Sequence, residues 1–384
     1  MKPKVLVFSE IFPPKNGGSG RWFFELYSRI SAISPTFLVG KAHGDEEFDI
    51  KHAHLAIQRY TPKPSSWGFK SWPSIKEYWR QYRLLKAQLK KFEATEIHCC
   101  RILPEGVPAL LTKLRYGIPY HCYIHGEDIE VARTSRELTL LTKLVMRFAS
   151  KLICNSETTK GYIEKYWSAF QDKAVVLHPG VDTDYFTPLL QSTSQPKLNT
   201  EPLCLLTVGR LQQRKGHDVV IKALAELKRR GIIYHYRIAG DGDQKPVLKA
   251  LVQQHQLNEQ VFFLDEITDE ILKKEYQQCD IFILANRRVG NDDEGFGMVL
   301  LEAQACGKPV IAGKSGGTWE TMQHNVSGWL LDCTTEFELV SLLANKSELL
   351  KTLPSFALAG QAYVNKNYGW QTLTIKAKKI FGWY

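Results

Sequence analysis

The chain has 384 residues, 44% of them hydrophobic and 23% charged, which indicates two globular domains and excludes a disordered or fibrous protein. No apolar stretch approaches the roughly 18 residues of a membrane-spanning helix, so no such helix is predicted. The net charge is +10: residues 1–190 carry 27 Lys and Arg against 19 Asp and Glu, and the remainder carries 23 against 21. This excess favours an anionic partner for the first half, which can be a nucleic acid, an acidic membrane surface or a phosphorylated substrate.

The eight cysteines are scattered, apart from the neighbours Cys99 and Cys100. None belongs to a CxxC motif or to a Cys/His spacing typical of zinc sites, so we expect reduced thiols in the core and a cytoplasmic protein. The first apolar run ends at Glu10, before it reaches the length of a signal peptide, and it predicts a buried strand.

Short runs of Val, Ile and Leu alternate with segments of helical period along the whole chain, a pattern typical of parallel sheets covered by helices on both faces. The strands predicted in the first half are Val5–Phe8, Thr36–Val39, Ala56–Tyr60, Glu96–Cys99, Tyr120–Ile124, Leu152–Asn155 and Val175–His178. Those predicted in the second half are Leu203–Val208, Tyr236–Ala239, Val261–Leu264, Ile281–Leu284, Pro309–Ala312 and Gly328–Leu331.

The polar segment 190–202, with the sequence LQSTSQPKLNTEP, has no sustained periodicity and predicts a linker. We therefore predict an N-terminal domain over residues 1–190 and a C-terminal domain over residues 191–365. Both are expected to be doubly wound, Rossmann-like α/β domains that face each other across a cleft. A helix at about residues 366–384 is expected to pack back on the first domain.

A glycine-rich turn, PPKNGGSGR, follows the first strand and includes Gly17 and Gly18. Such a turn at the start of a helix lets backbone N–H groups approach an anion, and the helix dipole favours negative charge there. The spacing is not GxGxxG, so it does not indicate a dinucleotide site. A purely structural turn is the alternative interpretation.

The first strand of the second half is followed by GRLQQRKGH, which begins with Gly209 and Arg210 and includes Lys215. Cations placed between such a strand and the next helix point at phosphates beyond the carboxyl edge of the sheet. Arg210 and Lys215 are therefore candidate diphosphate ligands. A solvated basic loop is the alternative, particularly for Arg214.

The segment EGFGMVLLEAQACGKPV starts at Glu294 and contains Glu302 within an apolar helix. Glycines before the helix predict exposed N–H groups at its N-terminus. Carboxylates accept hydrogen bonds from sugar hydroxyls strongly, so the two glutamates are candidate ligands for the sugar and the ribose. A dipole partner at Glu294 and a surface position for Glu302 are the alternatives.

With these motifs the chain resembles the family-four retaining glycosyltransferases of GT-B fold (group 1 type), whose hallmark is a Glu-x7-Glu segment. Glu294 and Glu302 have that spacing. The resemblance runs from the Gly17-Gly18 turn through Gly209-Arg210 to Gly316-Gly317 and so covers nearly the whole chain.

The resemblance implies that the domain over residues 1–190 binds the acceptor and that the domain over residues 191–365 binds the nucleotide-sugar donor. It also implies that Arg210 and Lys215, next to Gly209, bind the donor diphosphate. It also implies that Gly17 and Gly18 approach the phosphate from the other domain. Fixed cations stabilise a leaving diphosphate while the anomeric carbon becomes oxocarbenium-like, and they take the place of a metal ion. We expect no cofactor and no metal, and we interpret the acidic patches Asp241-Gly242-Asp243 and Asp292-Asp293 as loops.

The resemblance further implies that Glu294 holds the transferred sugar and Glu302 the ribose. His125, which follows a strand in the sequence YIHGED, matches a histidine that lies near the sugar and the leaving group. A structural histidine is the alternative at this position. The remaining expected donor contacts come from the segment that starts the helix: Phe296, Gly297, Met298 and Val299.

We therefore expect a retaining, metal-independent hexosyltransferase that uses GDP-mannose or a UDP-sugar. Its expected acceptor is a glycan or a lipid-linked molecule in cell-surface polysaccharide or glycolipid synthesis. The alternatives are a GT-B relative, such as a nucleotide-sugar epimerase or a phosphorylase, and a basic nucleic-acid-binding protein. The chain has no interleaved aromatic and basic recognition motif, so a nucleic-acid partner is not expected.

Residues 63–91 carry eight basic residues and a single acidic one, Glu77. Aromatic and aliphatic residues recur here at three- and four-residue steps, which predicts a basic amphipathic helix. Such a helix can lie on an anionic membrane surface, at the inner face of the membrane, and bring the protein to a lipid-linked acceptor. Packing of its apolar stripe on the sheet of the first domain is the alternative.

Overall fold

The structure is a computed structural model that describes residues 2–15, 17–63, 67–189 and 201–383. It divides into two compact units, Met1–Pro179 with Trp370–Tyr384, and Gly180–Gly369. The chain therefore passes from one unit to the other between Pro179 and Gly180. The predicted boundary at residue 190 and the linker as far as residue 200 lie outside the described residues.

The first unit contains a parallel sheet of seven strands in the order β3-β2-β1-β4-β5-β6-β7. These strands are β1 (Lys4–Ser9), β2 (Ser34–Gly40), β3 (Ala56–Tyr60), β4 (Glu96–Cys99), β5 (Tyr120–Ile124), β6 (Lys151–Cys154) and β7 (Ala174–Val176). They confirm the seven strands predicted from the apolar runs. The strand order reverses between β1 and β4, which makes this pair the switch point where doubly wound sheets bind ligands.

Helices cover both faces of this sheet. They are α1 (Gly18–Arg29), α2 (Asp45–Lys51), α3 (Trp72–Phe92), α4 (Gly106–Tyr116), α5 (Glu127–Arg133), α6 (Arg136–Phe148) and α7 (Glu157–Tyr166). Two of them begin at a serine whose hydroxyl accepts a backbone N–H of the first turn: Ser71 caps α3 and Ser156 caps α7. Such caps satisfy donors that the helix itself leaves without a partner.

The second unit contains a parallel sheet of six strands in the order β10-β9-β8-β11-β12-β13, with its switch point between β8 and β11. Its strands are β8 (Leu203–Val208), β9 (Tyr234–Ala239), β10 (Val261–Asp265), β11 (Ile281–Leu284), β12 (Val310–Gly313) and β13 (Gly328–Leu331). Its helices are α8 (His217–Arg229), α9 (Lys245–Gln254), α10 (Asp269–Gln278), α11 (Met298–Ala305), α12 (Phe337–Ala344) and α13 (Lys346–Tyr368). The six strands predicted for this half are confirmed.

The last helix, α14 (Trp370–Phe381), belongs to the first unit. The indole of Trp383, just beyond it, donates a hydrogen bond of 2.7 Å to Glu96 at the start of β4. All eight cysteines are unpaired, and all except Cys204 are buried. Within the described ranges, none of the helices combines the length and apolar character needed to cross a bilayer.

Helix α3 has two different faces. Tyr78, Leu85 and Leu89 are buried in the core of the first unit. Trp72 and Trp79, by contrast, are 65% and 53% exposed. The predicted apolar stripe is thus divided: one part packs against the core, as the alternative interpretation held, and the two tryptophans of the first two turns face solvent.

Candidate active site

Two loops meet at the switch point of the second unit: one follows β8 and contains Gly209–Gly216, and the other follows β11. A backbone hydrogen bond of 2.9 Å joins the two loops: the N–H of Arg287 donates to the carbonyl of Arg214. Gly216 has a φ of +73°, and a Cβ there would lie 1.7 Å from the carbonyl oxygen of Ala285. Only glycine lets the two loops come this close. Gly216 therefore fixes the position of Lys215 and of the other cations in the first loop.

Lys215 and Arg214 both form ion pairs with Glu294. The Lys215 Nζ lies 2.6 Å from the Oε2 of Glu294, and Arg214 contacts the same oxygen. All three side chains are only 8–11% exposed. We call these three residues the Glu294 cluster. The alternative interpretation of Arg214 as a solvated loop residue is wrong, because its guanidinium is buried and also pairs with Asp292 at 3.0 Å.

Charge compensation determines the ionisation of this cluster. Burial by itself would raise the pKa of Glu294, but the charges of Lys215 and Arg214 outweigh it and lower the pKa to about 2. Burial lowers the pKa of Lys215, and Glu294 opposes that effect. The carboxylate is therefore ionised at neutral pH, and the cluster carries two cations for one anion.

Arg210 lies next to the cluster but outside it. It follows Gly209 at the carboxyl end of β8 and is exposed. Its charge is one of those that lower the pKa of Lys215, which shows that the two cations lie in one neighbourhood. Arg210 is the more accessible of the two candidate diphosphate ligands.

A chain of buried hydrogen bonds fixes the start of α8, directly after the cluster. Thr207 donates to the carbonyl of Ile283, and the hydroxyl of Tyr236 donates to Thr207 at 2.8 Å. Tyr236 must then accept the hydrogen bond from His217 Nδ1, at 3.1 Å. Burial lowers the pKa of His217 to about 4, and the charge of Lys215 acts in the same direction. His217 is consequently neutral.

The loop after β12 holds the backbone of Glu294 in place. The N–H of Gly317 donates to the Glu294 carbonyl at 2.9 Å. Gly316 has a φ of +68°, and a Cβ there would lie 1.8 Å from that carbonyl oxygen. Asp293 accepts hydrogen bonds from the Ser315 hydroxyl and from the Glu294 N–H. Glycine is therefore needed at position 316 to place Glu294, and Asp293 stabilises the loop through these hydrogen bonds.

Helix α11 begins at Met298, four residues after Glu294. Gly297 precedes the helix in the left-handed conformation, with a φ of +94°. Met298 and Val299 are half-buried at its first two positions, where backbone N–H groups have no partner within the helix. Phe296 is buried and packs 5.7 Å from the ring of Tyr368. The segment thus offers backbone donors and partial positive charge close to Glu294.

Glu302 lies one turn before the end of α11 and is buried. It accepts a hydrogen bond of 2.7 Å from the hydroxyl of Tyr276 on α10. The alternative interpretation of Glu302 as a surface residue is therefore wrong. Its role toward a ribose stays a prediction, and Tyr276 is a partner that the sequence pattern did not indicate.

The first unit contains the other predicted residues, Gly17, Gly18 and His125. Gly17 precedes α1 and Gly18 begins it. His125 follows β5, and its Nε2 lies 2.8 Å from the carbonyl oxygen of Cys100. A carbonyl oxygen can only accept a hydrogen bond, so Nε2 must carry a proton. Nδ1 is the ring nitrogen that this hydrogen bond leaves available for other contacts.

Aromatic packing and a buried carboxylate orient His125. Its ring meets those of Trp22 and Phe23 edge to face, at 5.8 and 5.9 Å. The Oδ1 of Asp128 accepts the backbone N–H groups of His125, Gly126 and Ile129 at 3.0–3.1 Å. The histidine that the sequence singled out is thus rigidly held at the carboxyl edge of the sheet.

Comparisons with known proteins agree with this geometry. Residues 17–185 match the family described as Glycosyltransferase Family 4, and residues 191–349 match Glycosyl transferases group 1. The GDP-mannose-dependent alpha-(1-6)-phosphatidylinositol monomannoside mannosyltransferase of Mycobacterium tuberculosis is 32% identical over 97% of this chain and 96% of its own. The amylovoran biosynthesis glycosyltransferase AmsK of Erwinia amylovora is 30% identical over 51% of this chain and 47% of its own.

Among solved structures, Anabaena HepE in complex with UDP and glucose is similar over 99% of both chains, with a TM-score of 0.77 and 21% identity. Together, the two doubly wound units and these matches define the class, a glycosyltransferase of GT-B fold. The chain belongs to glycosyltransferase family four.

Proposed function

We propose that this glycosyltransferase moves a hexose from a nucleotide-diphosphate sugar to a glycan or lipid-linked acceptor in cell-surface polysaccharide or glycolipid synthesis. The observation that carries the proposal is the Glu294 cluster, which places two buried cations and a carboxylate directly before the N-terminus of α11. The mannosyltransferase activity of the mycobacterial relative and the role of the Erwinia relative in amylovoran biosynthesis support this choice of donor and acceptor classes.

The second unit supplies the donor contacts in this proposal. Arg210 and Lys215, with the backbone at Gly209, bind the diphosphate, because cations at the carboxyl edge of the switch point suit phosphates. Glu294 binds hydroxyls of the transferred sugar, and Glu302 binds the ribose. The backbone N–H groups of the segment that starts α11 complete the site: Phe296, Gly297, Met298 and Val299.

The ion pair between Lys215 and Glu294 suggests how the site responds to a donor. A diphosphate has a larger negative charge than a single carboxylate and competes for the ammonium of Lys215. Arg214 stays paired with Glu294, so the carboxylate remains ionised and oriented for sugar hydroxyls. In this proposal Lys215 turns from the carboxylate to the leaving diphosphate when the donor binds.

In this proposal the sugar is transferred with retention of configuration at its anomeric carbon, and Arg210 and Lys215 assist the step. As the diphosphate leaves, Arg210 and Lys215 stabilise its negative charge, and the anomeric carbon becomes oxocarbenium-like. The acceptor hydroxyl attacks on the face that the diphosphate leaves and gives its proton to a departing phosphate oxygen. These two cations supply the positive charge, so the proposed reaction needs no divalent metal ion.

The first unit contributes Gly17, Gly18 and His125 in this proposal. Gly17 and Gly18 bring the N-terminus of α1 toward the donor phosphate. His125 acts beside the sugar and the leaving group. With Nε2 bonded to the Cys100 carbonyl, the interacting atom of His125 is Nδ1.

A panel of nucleotide sugars tests the donor assignment. GDP-mannose, UDP-glucose, UDP-galactose and UDP-N-acetylglucosamine are each assayed for thermal stabilisation of the protein and for slow hydrolysis that releases the nucleotide diphosphate. One nucleotide should stabilise the protein at concentrations above its Kd, because a ligand bound only by the folded state raises Tm. If none of the panel stabilises the protein or is hydrolysed, the donor proposal is wrong.

The exposed face of α3 favours a lipid-linked acceptor. Its exposed residues combine Trp72, Ile75 and Trp79 with five cations, and none of them is acidic. The only acidic residue of α3, Glu77, is buried and paired with Arg80. We propose that this face binds an anionic membrane surface, with the aromatic residues at the headgroup level. The cations are Lys76, Arg83, Lys86, Lys90 and Lys91.

Vesicle sedimentation tests this surface. The protein should co-sediment with vesicles containing anionic phospholipid at low salt and dissociate as salt screens the attraction. Replacing Lys76, Arg83 and Lys86 with Gln should abolish sedimentation while the circular dichroism spectrum is kept. Arg80 is left unchanged, because its guanidinium is bonded to Glu77 and to the carbonyl of Thr61.

The matched control replaces three exposed lysines of the second unit with Gln: Lys222, Lys249 and Lys274. It changes the net charge by the same amount and should leave vesicle binding intact. If the unmodified protein does not bind the vesicles, or if both triple variants lose binding equally, α3 is not a membrane surface. A soluble acceptor is then favoured.

A further inference from the structure

Three potential metal ligands lie together on one face of the first unit's sheet. Glu96 and His98 are two residues apart on β4, so the alternation of a strand places both side chains on the same face. His121 on β5 is the register partner of His98. Two sequence-distant histidines and a carboxylate are thereby brought together by strand pairing alone.

The distances among these groups fit a common ligand. The Oε2 of Glu96 lies 3.5 Å from His98 Nε2 and 3.4 Å from His121 Nε2. The three ligand atoms all lie within 4.8 Å of one another. A tetrahedral zinc ion with bonds of about 2.0–2.1 Å separates its ligand atoms by about 3.3 Å. The two distances from the carboxylate match that separation.

One nitrogen aimed into this group lacks a hydrogen bond. His98 is completely buried, and its Nε2 has no hydrogen-bond partner among the residues that the structure describes. Buried polar atoms are nearly always bonded, so an orphan of this kind calls for an explanation. A metal ion between the imidazole and the carboxylate would satisfy it.

Outer partners are in place for two of the three ligands, His98 and Glu96, whereas the Nδ1 of His121 has no hydrogen-bond partner among the described residues. The Nδ1 of His98 is hydrogen-bonded to the hydroxyl of Tyr27, which lies 2.7 Å from that of Tyr123. Trp383 donates its indole N–H to the Oε1 of Glu96, at 2.7 Å. Metal-binding imidazoles and carboxylates are typically oriented by such bonds to their second atoms.

We propose that Glu96, His98 and His121 bind a zinc ion that fastens the C-terminal segment to the sheet. The rings of Phe381 and Trp383 lie 4.6 and 5.5 Å from that of His98 and cover the group. The carboxyl ends of β4 and β5, by contrast, lead to Cys100 and His125. The zinc ion is therefore structural and takes no part at the diphosphate.

Metal binding by the intact protein is the first test. The tag-free protein is stripped with a chelator under mild denaturant, refolded, and titrated with Zn²⁺ or Co²⁺. We expect one equivalent bound, a rise in Tm with zinc, and visible absorption of tetrahedral Co²⁺. If neither metal binds at one equivalent, the proposal is overturned, whatever the activity of the enzyme.

Variants then locate the site. Replacing His98 and His121 together with Gln should lower metal affinity at least 100-fold and abolish the cobalt absorption. The matched control replaces the exposed His43 and His54 with Gln and should bind the metal normally. Trp383→Phe keeps an aromatic ring but removes the donor to Glu96, so affinity should fall about tenfold. Metal binding retained by the His98 and His121 double variant overturns the assignment.

Discussion

The ammonium of Lys215 and the carboxylate of Glu294 lie 2.6 Å apart, each almost completely buried. The residue expected to bind the donor diphosphate is thus paired with the residue expected to bind the sugar. This contact means that neither side chain can be replaced without changing the ionisation or the placement of the other.

Replacement of either diphosphate cation should slow transfer severely. We expect Arg210→Ala and Lys215→Ala each to reduce turnover by on the order of 100-fold or more, because a group that stabilises leaving-group charge is removed. Steady-state release of nucleotide diphosphate measures the effect. Lys222→Ala, on the exposed side of α8, is the control and should be normal. Near-normal turnover in either active-site variant would contradict the diphosphate assignment.

Replacement of Glu294 should affect both activity and stability. Glu294→Gln leaves Lys215 and Arg214 buried without their common anion, which should lower the free energy of unfolding by about 3 kcal/mol. Donor hydrolysis and transfer should fall about 100-fold, through loss of sugar positioning. Urea unfolding and assays well below Tm separate the two effects. The control Glu348→Gln, at an exposed ion pair, should change neither stability nor turnover. Normal turnover in the Glu294 variant would refute the role of Glu294 in sugar binding.

Catalysis should not depend on an added divalent cation. We expect initial rates in excess EDTA to equal those in magnesium, because Arg210 and Lys215 supply the positive charge at the diphosphate. The measurement is a short assay at a temperature where the folded protein is stable, so that slow loss of a structural ion has no effect. Complete loss of activity in EDTA, restored by magnesium or manganese, would show that a metal ion assists the leaving group.

The neutral, buried His217 predicts a pH dependence of stability. Its pKa is lowered to about 4 in the folded protein, against about 6.5 in an unfolded chain. Between these values only the unfolded chain binds the proton, so stability falls as the pH falls from 6.5 toward 4. From pH 7 to pH 5 this site should account for about 2 kcal/mol of the loss.

The variant His217→Gln keeps a hydrogen-bond donor for the hydroxyl of Tyr236 and removes the imidazole that titrates. Urea unfolding at pH 7 and pH 5 should therefore show a loss of stability about 2 kcal/mol smaller than in the unmodified protein. All other titrating groups are common to the two proteins and cancel in the comparison. An identical loss in both proteins would exclude His217 as a contributor.

The sheets could be predicted from sequence because buried parallel strands are nearly continuous runs of apolar residues. The strand Ile281–Leu284 is an example, with four fully buried residues. The packing of α3 was harder to predict. Periodicity identifies an apolar stripe, but it does not tell which residues of that stripe are buried in the core. Trp72 and Trp79 extend beyond that core.

The residues of the candidate site that belong to short sequence motifs could be predicted, and the others could not. Arg210, Lys215 and Glu294 follow from their positions near glycines and strand ends. The burial of Arg214 did not follow, because nothing in a run of cations tells which one turns inward. Glu96, His98 and His121 were missed for a related reason: their proximity arises from the register between two strands, which no local spacing reveals.

The return of α14 to the first unit has a consequence for the order in which the protein is made. Trp383, which covers the group formed by Glu96, His98 and His121, is synthesised after the whole of the second unit. Domains generally fold as they emerge, N-terminal ones first. Here the first unit cannot close until the whole of the second has been synthesised. A nascent chain halted before residue 370 would therefore expose an unfinished aromatic surface for chaperones to bind.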